Sequence, residues 1–92
     1  MLELFNSEKS ISVRNYYVCN ENENKISILI LSFDRLVDEF LESRISEISI
    51  SNDYDVREYE IKNHFINFGV ESGGSLNALH RDQFIIDFEI KK

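Results

Sequence analysis

The sequence predicts an α+β fold: a mainly antiparallel β-sheet with one amphipathic helix packed on it. Three observations carry that expectation. Apolar residues make up 42% of the chain, and most of them are Ile, Val, Phe or Tyr, the β-branched and aromatic types that suit a pleated, half-buried surface. Short runs of alternating apolar and polar residues recur along the chain, whereas only one segment repeats apolar residues at helical spacing. With 92 residues there is material for one core, so a single domain spanning residues 1–92 is expected.

Leu2 to Phe5 reads as a short opening strand. Ser10–Cys19 reads as a longer one, marked by Ile11, Val13, Tyr17 and Cys19, with Tyr16 and Val18 turned to the other side. Asn20 to Lys25 is polar and Asn-rich, the composition of a hairpin loop. In Ile26–Phe33, Ile26, Ile28 and Ile30 fall on one side and Leu29, Leu31 and Phe33 on the other, which predicts a mid-sheet strand buried on both faces. Ser32 or Asp34 can cap a helix over roughly 34–44, where Leu36, Val37, Phe40 and Leu41 form the apolar stripe. Ile48 and Ile50 alternate with Glu47, Ser49 and Ser51, a strand with one wet face, and Asn52-Asp53 follows as a turn. Within 54–70 the apolar parity changes twice, which requires either a bulge in one strand or two strands meeting. Gly69 and Ser72 to Ser75 break the pattern, and Leu76–His80 reads as a short turn or helix. Phe84, Ile86, Phe88 and Ile90 mark the last strand.

Composition excludes several classes of function. The single cysteine, Cys19, cannot form an internal disulfide, so a reducing, cytoplasmic location is expected and an inert buried thiol is the simplest reading of it. The longest apolar run, Ile28 to Leu31, is too short for a signal peptide core or a membrane span. With no proline and three glycines, a Gly-rich phosphate loop has nothing to be built from. His64, His80 and Cys19 lack paired metal-ligand spacing, and Asp53 and Asp55 lack the Gly and Glu positions of a calcium loop, so no metal or other cofactor is expected. The two histidines suit acid–base cleavage of RNA, but a chain of net charge −7 offers little cationic stabilisation for phosphate; no enzyme is expected.

The acidic distribution says more. From Asp34 to Glu60 nine acids face three bases, Arg35, Arg44 and Arg57. Inside that stretch Asp53, Tyr54, Asp55, Glu58, Tyr59 and Glu60 interleave carboxylates with tyrosines, the composition of a protein-binding patch. The helix acids Asp38, Glu39 and Glu42 form a second candidate edge. A field of several acids also steers association with a basic partner.

In size, charge and strand–helix pattern the chain resembles the small immunity proteins of contact-dependent growth inhibition and colicin-type nuclease toxin systems. The resemblance implies a role rather than a set of residues. Such a protein binds the C-terminal nuclease domain of its cognate toxin one to one, often an RNase acting on tRNA, and covers its basic active site or substrate groove. No cofactor, membrane or direct nucleic-acid contact is then expected, and free phosphate-binding cations on the toxin are met by carboxylates. Tyr54 and Tyr59 are the expected anchors, with Asp53, Asp55, Glu58 and Glu60 pairing to basic groups. Two other readings stay open: a homo-oligomeric scaffold domain that pairs edges through the one-wet-face strands around Ile48 and Ile50, and a DNA-mimic inhibitor from a mobile element.

Overall fold

The computed structural model describes residues 1–31, 35–68 and 83–92, with the side chains of 35–38 and Phe68 outside the description. Seven strands and one helix follow in chain order: β1 (Leu2–Phe5), β2 (Ser10–Val13), β3 (Tyr16–Glu21), β4 (Lys25–Ile30), α1 (Arg35–Glu42), β5 (Glu47–Ser51), β6 (Val56–Phe68) and β7 (Phe84–Ile90). All pairings are antiparallel, in the order β2-β1-β5-β6-β7-β4-β3. The protein is mostly antiparallel sheet, and its helix is a minor element of eight residues. That helix is not long or apolar enough to cross a membrane.

Strand β6 organises the sheet. Its residues 56–60 pair with β5, and 61–68 pair with β7. Between the two stretches the register slips, so that Ile61 faces Ile90 but Asn63 faces Glu89, leaving Lys62 as an extra residue. This bulge is the source of the parity change in 54–70: one strand, bent, with Tyr59 and Ile61 inside before the bulge and His64 and Ile66 inside after it. A bent strand shared by two sheet sections lets them fold face to face. The first half is β2-β1-β5 with the start of β6, and the second is the remainder of β6 with β7-β4-β3.

Both halves feed one core. Leu2, Leu4, Val13, Ile48 and Ile50 from the first join Ile26, Ile28, Ile30, Phe84, Ile86 and Phe88 from the second, and Phe40, Leu41, Ile45 and Ile61 complete it among the described residues. Each fully buried side chain of this kind contributes roughly 1.5–3 kcal/mol through removal from water. The doubling over is also visible at the edges. β2 and β3 stand at opposite ends of the strand order, yet only Arg14 and Asn15 separate them, and three Cα steps span at most about 11 Å.

Three tight hairpins repeat one device. Asn6, Asn22 and Asn52 each accept, on the side-chain oxygen, hydrogen bonds from the backbone N–H groups two and three residues on, at 2.8–3.0 Å. Each asparagine N–H donates in turn to the carbonyl three residues on, at Lys9, Lys25 and Asp55. The amide mimics a backbone turn, which makes Asn the residue of choice here.

Several expectations need correction. Ser10–Cys19 is not one strand: β2 and β3 lie on opposite edges, and the parity shift between Val13 and Tyr16 marks the break between them. The strand Lys25–Ile30 is buried on one face only, since Leu29 is half-buried and Leu31 is 40% exposed. It also lies next to the β3 edge rather than in the middle of the sheet. The helix is shorter than 34–44. Cys19 is exposed, because it is the extra residue of a second bulge, where Val18 faces Ile28 and Asn20 faces Ser27. Ser32, Phe33, Asp34, Gly69, residues 72–75 and Leu76–His80 lie outside the described residues.

Candidate functional site

Since the core takes one parity of every strand, the outward parity is what remains for a partner. On the first half the register places these outward residues in two rows. Ser12, Glu3, Ser49 and Glu58 are successive cross-strand neighbours, and beside them run Ser10, Phe5, Glu47 and Glu60. Four carboxylates thus share one face, with serines between them and no cationic side chain in either row. Glu47 and Glu60 stand directly opposite each other, a separation of about 5 Å between Cβ atoms. None of the four forms an ion pair among the described residues, whose ion pairs involve Glu21, Asp55 and Glu23.

The β5–β6 turn extends this face. Asp53, Tyr54 and Asp55 are exposed at its tip, Tyr54 almost completely at 96%. Asp55 approaches the Arg57 Nε at 3.9 Å.

Strand alternation divides the stretch Asp53–Glu60 that the sequence presents as one patch. Glu58 and Glu60 point outward, but Tyr59 points inward against the core, half-buried, with its hydroxyl donating to Glu21. Arg57, also inward, pairs with the same carboxylate through Nη1. As an anchor for a partner Tyr59 is therefore misplaced; it ties the β3 end to β6, closing the two halves against each other. Burial and the hydrogen bond to Glu21 raise the Tyr59 pKa, and the negative charge of Glu21 adds to this. For Arg57, burial works to lower the pKa, but the hydrogen bond and charge of Glu21 outweigh it and hold the guanidinium above its usual range.

Glu39 and Glu42 are exposed on α1, whose Phe40 and Leu41 enter the core between the halves. They therefore do not extend the face of Glu58 and Glu60. The side chain of Asp38 lies outside the described ones. Glu3 and Glu47 are the members of the acidic face that sequence reasoning missed. The signal available for Glu47 was its alternation with Ile48; for Glu3 only the pairing of β1 with β5 makes the connection.

His64 packs its ring against Phe88, with centroids 6.3 Å apart, and so belongs to the rim of the core. His80 lies outside the described residues, and among those described no group of three or more His, Cys, Asp and Glu side chains could hold a metal ion. Comparison with known proteins gives no match to a family model, a curated protein or a solved structure.

Proposed function

We propose that this chain is an immunity protein, a stoichiometric antitoxin that binds the C-terminal nuclease domain of a cognate toxin and covers its basic active site or substrate groove. The toxin of this reading is an RNase acting on tRNA, the complex is one to one, and the setting is the cytoplasm. The observation that supports it is the outward face of the first half, where Glu3, Glu47, Glu58 and Glu60 stand together without a cation in their rows. A nuclease gathers Lys and Arg to hold phosphate, so an array of fixed carboxylates competes with RNA for the same charges. Inhibition then needs no chemistry from the antitoxin. Tyr54, on the turn beside this face, supplies contact area at modest entropy cost.

The test is calorimetric titration against the nuclease domain encoded by the gene immediately upstream, together with protection of cells that express it. Replacing Glu58 and Glu60 by Lys is expected to weaken binding by several kcal/mol, about a hundredfold or more, because like charges then meet across the interface. Protection and affinity unchanged in this double variant would remove the acidic face from the mechanism. A second reading, a self-pairing scaffold, would use β2 and β3, which end the described strand order, and not the strand of Ile48 and Ile50, which lies between β1 and β6. It predicts dimers at micromolar concentration in the absence of any toxin, detectable by analytical ultracentrifugation.

A further inference from the structure

The outward side of the second half carries a different arrangement. There the register sets Ser27, Asp87 and Phe65 side by side across β4, β7 and β6. They share an open depression of about 700 Å³ with Lys25, Asn67 and Glu89. The half-buried Asp87 carboxylate is held from both sides. Ser27 Oγ donates to Oδ1 at 2.6 Å, and Asn67 Nδ2 donates to Oδ2 at 3.4 Å.

Both of these donors are neutral. Among the described residues no cation lies within ion-pair distance of Asp87, and Lys25 stands opposite Glu89, one outward position further along. Among the described residues Asp87 is therefore an oriented charge without a counterion, and each of its oxygens, having accepted one hydrogen bond from them, keeps one lone pair for a further donor. Next to it the Phe65 ring is 59% exposed. An aromatic face beside a two-pronged acceptor matches one side chain better than any other. A guanidinium is planar, stacks on rings and donates two parallel N–H groups to a carboxylate, whereas an ammonium is a compact point charge without that fork.

We propose that this depression receives an arginine side chain displayed by a protein partner, its guanidinium forked onto Asp87 and stacked on Phe65. The site lies on the other half of the sheet from the acidic face, and neither its argument nor its test depends on the antitoxin reading. A cognate toxin that docked by this face instead would still present such an arginine.

The test is an amide-resolved NMR titration of the intact chain with N-acetyl-L-arginine amide, run beside the lysine and glutamine analogues. Expected are saturable shifts centred on Ser27, Phe65, Asn67 and Asp87 for the arginine probe, with the lysine probe distinctly weaker and the glutamine probe silent. Asp87→Asn should abolish saturation, and Phe65→Leu, a change at an exposed ring that leaves the core intact, should weaken binding by about two- to fivefold. The proposal is overturned if shifts spread without saturation over Glu3, Glu47, Glu58 and Glu60, if the lysine probe binds equally well, or if Asp87→Asn binds as the parent does. Concentration-dependent broadening of the same amides in the free protein would overturn it in favour of a second copy of this chain.

Discussion

Along β6 the outward side chains before the bulge are Val56, Glu58 and Glu60; after it come Asn63, Phe65 and Asn67. Their neighbours diverge in the same way. Beside the first set stand Glu3, Glu47 and serines, while beside the second stand Lys25, Glu89, Ser27, Asp87, Leu29 and Ile85, with Tyr17 continuing the row across β3 at 64% exposure. Inward, both halves are apolar, with Leu, Ile and Val in the first and Ile and Phe in the second. The core thus constrains one parity of every strand and leaves the other free, and the two outward surfaces lie on the free parity. One face offers repeated negative charge without a cation in its rows, the other a fixed Asp87 carboxylate beside an exposed ring, with Glu89 set opposite Lys25.

The largest expected effect tests whether the halves are one unit. Phe88→Ala in the second half should cost about 3–5 kcal/mol and Ile50→Ala in the first about 2–5 kcal/mol, each lowering a single thermal transition, because both side chains are fully buried in the same core. Two separate transitions by calorimetry would divide the molecule into independent halves.

A smaller effect is expected at the tie between the halves. Tyr59→Phe removes the hydroxyl that donates to Glu21 and should cost about 1 kcal/mol at neutral pH. The folded protein holds the Tyr59 proton more tightly than the ordinary value of 10.0, so this contribution is present below pH 10.0 and is lost as pH rises through the raised value. Melting curves between neutral and strongly alkaline pH should therefore fall more steeply for the parent than for Tyr59→Phe. Parallel falls would place the tyrosine outside the tie. Arg57 stays charged throughout and, being about a third exposed, adds at most about 1 kcal/mol through its pair with Glu21.

The smallest effect sharpens the contrast most. Glu47 and Glu60 face each other directly, and like charges so placed destabilise a sheet, so Glu47→Lys should raise stability by about 0.2–1 kcal/mol. On the antitoxin reading the same change weakens toxin binding. A variant that melts higher and protects less would show that the acidic face is maintained at a cost to stability; one that melts lower would mean the repulsion is already screened.

Much of the fold was legible from alternation alone. Ile26, Ile28 and Ile30, Ile48 and Ile50, and Phe84, Ile86 and Phe88 are all at the core, because period-two burial is a local property of an extended chain. Phe40 and Leu41 are likewise buried where helical spacing puts them. The turn asparagines at 22 and 52 act through neighbours two and three residues away, again a local matter. The misreadings share a cause. Two parity shifts, at Arg14-Asn15 and at Lys62, look the same in sequence, yet one separates two edge strands and the other bends a single strand. Local pattern reports a slip in register but not whether the chain continues to the same partner.

What the sequence determined by itself is the set of inward side chains and the turns, since both follow from dihedral preference and from the need to bury one side of each strand. Which side chains meet across strands was decided only in three dimensions. Glu3 joins the face of Glu47 and Glu58 from 44 or more residues away, Glu21 closes onto Arg57 and Tyr59, and Asp87 collects Ser27 and Asn67. Those encounters depend on strand order and register, which are settled by how one shared core packs and not by any neighbour along the chain.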